Sequence, residues 1–184
     1  MKLYAIRHTS VAVKPGICYG QSDVDVAESF HEERKAVKLE LSGLQFDKIF
    51  SSPLQRCRKL AEHLFPNQPI LFDNRLKELN FGDWELKSWD EIYHSPEGKN
   101  WMDDYQNLST LNGESYPQML GRIAEWLNEL KVTEMDKSVV VIHAGVIRIL
   151  KHLIEGQPMD DLFALFKPPY GSVTIFDLKE INGK

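Results

Sequence analysis

Residues 139–145 read Val-Val-Val-Ile-His-Ala-Gly: four apolar residues in a row that run straight into a histidine and a glycine. An apolar run without polar alternation predicts a strand buried on both faces, as in a parallel sheet covered by helices. The same pattern stands near the start of the chain, where Leu3-Tyr4-Ala5-Ile6 leads into Arg7-His8-Thr9. These two stretches are the candidates for central strands. A third strand is expected at Lys48 to Phe50 and a fourth at Ser172 to Leu178. In the fourth, Val173, Ile175 and Asp177 alternate with Thr174, Phe176 and Leu178, the pattern of an edge or mixed strand.

Helical periodicity fills the intervals. Phe30, Val37, Leu41 and Leu44 form an apolar stripe, and Glu28, Glu32, Glu33, Arg34, Lys35 and Lys38 read as its solvated face. A second helix starts near Pro53, carries Leu54, Cys57, Ala61 and Leu64, and ends before Pro66 and Pro69. At Ser115-Tyr116-Pro117-Gln118 the serine can accept from an early backbone N–H while the glutamine reaches back, a capping box. Leu120, Ile123, Leu127 and Leu130 follow as the apolar face of that helix. After Gly145 a further helix is expected through Ile147, Leu150 and Ile154. Strand and helix in alternation make the fold class α/β, with a mostly parallel sheet. Residues 87–113 break the rhythm with Trp89, Tyr93, Trp101, Tyr105 and the acidic Asp90, Glu91, Asp103 and Asp104, and read as a lid or helical insertion.

Composition narrows the function classes. At 184 residues the chain has the length of roughly one domain with some to spare. Apolar residues at 42% and charged residues at 27% exclude a disordered or fibrous protein. With 22 Lys and Arg against 27 Asp and Glu, the net charge is −5, which argues against a broad basic surface for nucleic acid. Cys18 and Cys57 are the only cysteines and form no disulfide framework, as suits a reducing compartment. No apolar stretch has the length of a signal-peptide core or a membrane span, so a cytoplasmic protein without a membrane partner is expected. The sequence leaves the oligomeric state open.

In open α/β sheets, ligands bind beyond the carboxyl ends of the strands. There this chain places Arg7-His8-Thr9, Ser51-Ser52-Pro53-Leu54-Gln55-Arg56 and His143-Ala144-Gly145. One histidine after a buried strand is often a hydrogen-bonded core residue. Two histidines and two arginines gathered from three strand ends point instead to a phosphate site containing a nucleophile. Guanidiniums hold phosphoryl oxygens with paired hydrogen bonds, and an imidazole can attack phosphorus. Proton transfer to the leaving group needs a carboxyl group, and Glu78, Asp83 and Glu85 are all candidates. Spacing does not rank them, although Glu78 sits between Leu76 and Leu79. Nothing in this scheme calls for a metal or a cofactor, and the histidines lack the HExxH spacing of a zinc hydrolase. Arg148 reads as a salt-bridge or capping residue unless it faces the pocket.

The motifs Arg7-His8-Thr9, Ser51-Ser52-Pro53-Leu54-Gln55-Arg56-Cys57, Glu78-Leu79-Asn80-Phe81-Gly82-Asp83-Trp84-Glu85, Gly113-Glu114-Ser115 and His143-Ala144-Gly145-Val146-Ile147-Arg148 stand in this order over nearly the whole chain. In this the chain resembles the histidine phosphatase superfamily, which includes the cofactor-dependent phosphoglycerate mutases. The resemblance implies a three-layer α/β/α sandwich with a lid insertion, formed by a single domain over residues 1–184. It implies that His8 is the phosphorylated nucleophile, that Arg7, Arg56 and His143 form the phosphate pocket, and that Glu78 is the proton donor. The substrate implied is a small-molecule phosphate ester.

Within the superfamily, Arg7-His8-Thr9 followed by Gly16-Ile17-Cys18-Tyr19-Gly20-Gln21-Ser22-Asp23 is similar to the alpha-ribazole phosphatase group, which acts in cobalamin nucleotide-loop assembly. On that likeness Thr9, Tyr19, Gln21, Ser22 and Ala144 are expected at the substrate rim. Tyr19, Trp84, Trp89, Trp101 and Tyr105 could offer a flat apolar wall to a benzimidazole. Asp103 and Asp104 disfavour a bisphosphoglycerate if they face the pocket. The rival readings are a phosphoglycerate mutase, a broad phosphatase, and an inactive phosphate-binding module.

Overall fold

The computed structural model describes residues 1–133 and 135–178. Its elements run β1 (Lys2–Arg7), α1 (Phe30–Glu40), β2 (Lys48–Ser51), α2 (Gln55–Leu64), β3 (Ile70–Phe72), α3 (Trp89–His94), α4 (Pro96–Asp103), α5 (Tyr116–Lys131), β4 (Lys137–Ile142), α6 (Ala144–Glu155), α7 (Met159–Leu165) and β5 (Val173–Asp177). Among the described residues the strands form one sheet in the order β3-β2-β4-β1-β5. The β1–β4, β2–β4 and β2–β3 pairs are parallel, whereas β5 lies antiparallel to β1.

The two central strands feed both faces of the sheet, as their unbroken apolar runs require. Leu3, Ala5, Val140 and Ile142 pack on one side against Ile123, Leu127, Ile147 and Leu150 of α5 and α6. Tyr4, Ile6, Val139 and Val141 pack on the other against Val37 of α1 and Cys57, Leu60 and Ala61 of α2. The result is three layers, with the sheet between two pairs of helices. Helix α5 starts where its capping box predicts: Ser115 Oγ accepts from Gln118 N at 3.3 Å, and Ser115 N donates to Gln118 Oε1 at 2.8 Å. Helix α6 ends at Gly156, whose φ of 71° is the left-handed conformation that closes many helices.

Two elements escape the sequence reading. Strand β3 is a three-residue edge strand with Leu71 and Phe72 exposed, so no burial pattern marks it. Helix α7 is too short for a full apolar stripe. In β5 the core side carries Phe176, while Ile175 faces outward, consistent with its edge position. Residues 87–113 hold the short helices α3 and α4. Ser88 begins α3 with a second capping box. No helix among the described residues is long and apolar enough to cross a membrane.

Candidate active site

The carboxyl ends of β1, β2 and β4 open on one rim, and β4 ties the other two together there. His8 N donates to Ile142 O at 2.9 Å, and Ser52 N to Val141 O at 3.0 Å. The backbone therefore carries His8 and His143 to adjacent positions, with ring centroids 5.2 Å apart. Arg56 arrives from the first turn of α2, whose amino-terminal dipole favours anions.

Both arginines are held by backbone carbonyls. Arg7 Nη1 donates to Pro168 O at 2.6 Å; Arg56 Nη1 and Nη2 donate to Ser22 O at 3.0 Å and Gly20 O at 2.6 Å. Tyr170 covers the Arg7 guanidinium at 3.8 Å and Tyr19 covers that of Arg56 at 5.3 Å. The two tyrosine hydroxyls join at 2.7 Å, so the rings roof the arginine pair. Arg56 is wholly buried. Neither guanidinium has a carboxylate within ion-pair distance among the described residues, and the buried Nε of each lacks a hydrogen-bond partner there. Buried positive charge without a counter-charge is costly, so the pocket is built for an anion.

The imidazoles between these arginines are held neutral. Burial, then the Arg56 charge and, more weakly, Arg7, push His8 well below the ordinary value, outweighing its hydrogen bond to Thr9. Burial and Arg56 do the same to His143, with smaller contributions from His8, Arg122 and Arg7. His8 Nδ1 lies 2.7 Å from the Thr9 carbonyl oxygen. A carbonyl only accepts, so in the neutral ring Nδ1 carries the proton and Nε2 keeps its lone pair. His143 Nε2 is 2.8 Å from Ser52 Oγ, which fixes that ring.

The structure separates the three carboxylates that spacing leaves unranked. Glu78 lines the cavity beside Arg7, His8 and His143. Its Oε1 accepts from Leu79 N at 3.0 Å and its Oε2 from Gly145 N, in the first turn of α6, at 2.9 Å. A Cβ on Gly145 would overlap that carboxylate, so the close approach requires glycine. Glu85 turns the other way and accepts from the amides of Gly20, Gln21, Ser22 and Phe81. Burial pushes its carboxyl up, but hydrogen bonds from residues 20–22 more than offset this and hold it below the usual range. Asp83 is exposed and accepts from Asn112.

The phosphate-sized end opens into the rest of a single cavity, about 1020 Å³ in all, with a largely apolar wall. Tyr19, Trp89, Trp101, Tyr105 and Ala144 line it. Trp84 instead packs with Cys18 and Ile92 beneath the wall. Thr9, Gln21 and Ser22 lie behind it: Thr9 is fully buried, Gln21 Nε2 donates to Glu78 O at 3.0 Å, and Ser22 O accepts from Arg56. Asp103 and Asp104 are exposed and off the cavity, so they say nothing about substrate charge.

For Arg148 the structure selects the pocket-facing alternative that the sequence leaves open. This residue lines the cavity, donates from Nε to Phe166 O at 3.0 Å, and lies 5.2 Å from the centre of the Phe163 ring. Tyr170 also reaches the site without any sequence signal, because its loop returns to β1 only through the tertiary fold. Among the described residues no cluster of three His, Cys, Asp or Glu side chains could hold a metal ion.

Comparison with known proteins supplies the family and the fold. The family model described as histidine phosphatase superfamily (branch 1) matches residues 3–183. The adenosylcobalamin/alpha-ribazole phosphatase of Salmonella typhimurium is 24% identical over 186 aligned positions, covering 98% of this chain and 92% of that protein. A 2,3-bisphosphoglycerate-dependent phosphoglycerate mutase of Bartonella tribocorum is 29% identical over 150 positions, 74% of this chain and 72% of its own. The crystal structure of the alpha-ribazole phosphatase from Shigella flexneri superposes with a TM-score of 0.88 at 22% identity, covering 96% of this chain and 90% of that one, which shows a shared fold. From residue 3 to residue 183, this chain belongs to branch 1 of the histidine phosphatase superfamily.

Proposed function

We propose that this protein is a phosphoric monoester hydrolase working through a phosphohistidine, with alpha-ribazole 5'-phosphate as its substrate. The observation that carries the reading is the pair of carboxylate-free guanidiniums, Arg56 buried and Arg7 half-buried, around a neutral imidazole whose Nε2 is unprotonated. In the first step His8 Nε2 forms a bond to phosphorus while the bond to the ester oxygen breaks, and Glu78 gives that oxygen a proton. Arg7 and Arg56 bind the phosphoryl oxygens, on which charge is spread in a loose transition state. His143 completes the pocket wall. In the second step water attacks the phosphohistidine, Glu78 takes its proton, and His8 is regenerated with release of phosphate.

The choice of ester is supported by the aromatic wall and by the similarity to the Salmonella protein. Tyr19, Trp89, Trp101 and Tyr105 present ring surface to the cavity, which suits a flat apolar heterocycle on the alcohol. Segment 87–113, which carries Trp89, Trp101 and Tyr105, is then the lid over the leaving group.

The test is phosphate release in EDTA from alpha-ribazole 5'-phosphate, 3-phosphoglycerate and an aryl phosphate, with His8→Ala as control. Preference for the first, lost in the variant, supports chemistry and substrate together. Release from the aryl ester alone keeps the phosphohistidine and discards the cobalamin substrate. Phosphoryl transfer between phosphoglycerates would make the protein a mutase, and no release from any ester would leave a binding module.

A further inference from the structure

Glu78 stands on irregular backbone between a single 3-10 turn at Asn74–Leu76 and another at Gly82–Trp84. A proton donor displaced by about 1 Å can lose about 10²-fold in rate, so something must hold this loop still. Arg122 of α5 does so from beneath. Its Nη1 donates to Arg75 O at 2.5 Å and Lys77 O at 2.7 Å, and its Nη2 to Glu78 O at 3.0 Å. The remaining N–H groups, on Nε and Nη2, grip the Glu114 carboxylate at 2.7 and 2.8 Å. All five guanidinium donors are thereby used. Glu114 closes the other side: its Oε2 accepts from Asn80 N at 3.2 Å, and its own N donates to Asn80 O at 2.8 Å. The backbone on both sides of Glu78 is thus fastened to one ion pair whose side chains are only 17% and 13% exposed.

We propose that Arg122, oriented by Glu114, is a positioning residue that sets the Glu78 carboxyl against the leaving-group oxygen. This rests on the reading of Glu78 as proton donor. Apolar side chains of similar volume would serve stability as well as a buried pair does. They could not bind the carbonyls of Arg75, Lys77 and Glu78 around one catalytic side chain. Lysine cannot replace Arg122, because three donors on one nitrogen cannot span the carboxylate fork and the carbonyls together.

The experiment measures phosphohistidine formation in a single turnover for Arg122→Lys and Glu114→Gln, on an unactivated alkyl phosphate and on p-nitrophenyl phosphate. Thermal midpoints identify the folded variants, and Glu114→Gln carries the test if Arg122→Lys does not fold. The expected result is a loss of about 10²-fold on the alkyl ester with the aryl ester changed by less than about 3-fold, since nitrophenolate leaves without a proton. In a Glu78→Gln background the same substitutions should cost nothing further, because their effect passes through the missing carboxyl. Equal loss on both esters by a folded variant, or full additivity with Glu78→Gln, overturns the proposal. Should Glu78→Gln alone fail to separate the two esters, the proton-donor reading falls and takes the clamp with it. Should it separate them while Arg122→Lys and Glu114→Gln do not, only the clamp falls.

Discussion

The backbone nitrogen of Gly145 donates to Glu78 Oε2 at 2.9 Å, joining the first turn of α6 to a loop 67 residues earlier in the chain. The bond places the Glu78 carboxyl at the amino-terminal end of α6, in the lining of the cavity that His143 also lines. Gly145 has an ordinary helical backbone, so alanine there should stabilise the helix by about 0.5–1 kcal/mol. Its methyl group would nonetheless displace the Glu78 carboxyl. Gly145→Ala is therefore expected to keep or raise the thermal midpoint while turnover of an alkyl phosphate ester falls at least about 10-fold. Calorimetry beside steady-state kinetics checks this, and an active Gly145→Ala protein would refute the placement of Glu78.

Both buried imidazoles are pushed well below the ordinary histidine value of 6.5, so each is neutral in the folded protein near neutrality. Phosphohistidine formation, followed by rapid quench, should therefore show no loss centred near 6.5, and its acid limb should lie well below. Stability moves differently. As pH falls through 6.5 the unfolded chain gains protons that the folded one refuses, so folding weakens with acidification until the depressed folded values are reached. Urea unfolding at pH 7.5 and 5.5 should show lower stability at 5.5, and replacing either histidine by asparagine should flatten that slope.

The Ser115 capping box satisfies orphan N–H groups at the start of α5, the helix that carries Arg122 and packs Ile123 and Leu127 on the sheet. Ser115→Ala should lower unfolding stability by about 1 kcal/mol, read as a shift in urea midpoint at unchanged slope.

The proposed chemistry uses imidazole, guanidinium and carboxyl groups. Phosphate release should survive prolonged EDTA treatment at full rate. Loss of activity on chelation, with recovery on adding back a single divalent metal, would require a different mechanism.

The α/β order is readable because β1 and β4 are apolar on both faces, a pattern few other structures need. The start of α5 is readable because Ser115 and Gln118 satisfy each other within four residues. Strand β3 leaves no trace, since three residues at an edge with two side chains exposed carry no period. At the site, Arg7, His8, Arg56 and His143 are readable as residues that end or follow apolar runs. Glu78, Asp83 and Glu85 look alike in one dimension. What parts them is the direction each side chain takes: Glu78 toward Gly145, Glu85 toward the amides of residues 20–22, Asp83 toward solvent. Tyr170 could not be found at all, because stacking on Arg7 depends on a loop that closes only when β5 pairs with β1.

The order of strands has a consequence for the life of the chain. The strand that presents His8 has β4 on one side and β5 on the other, and both come from the last third of the sequence. Contacts between such distant segments form late, after a long loop has been closed. During synthesis His8 is an ordinary solvated histidine, and Arg7 has neither the Pro168 carbonyl nor the Tyr170 ring to hold it. On the proposed function, the surroundings of His8 are complete only once β4 and β5 have joined β1, so reactivity at His8 would serve as a marker that the last third of the chain has folded.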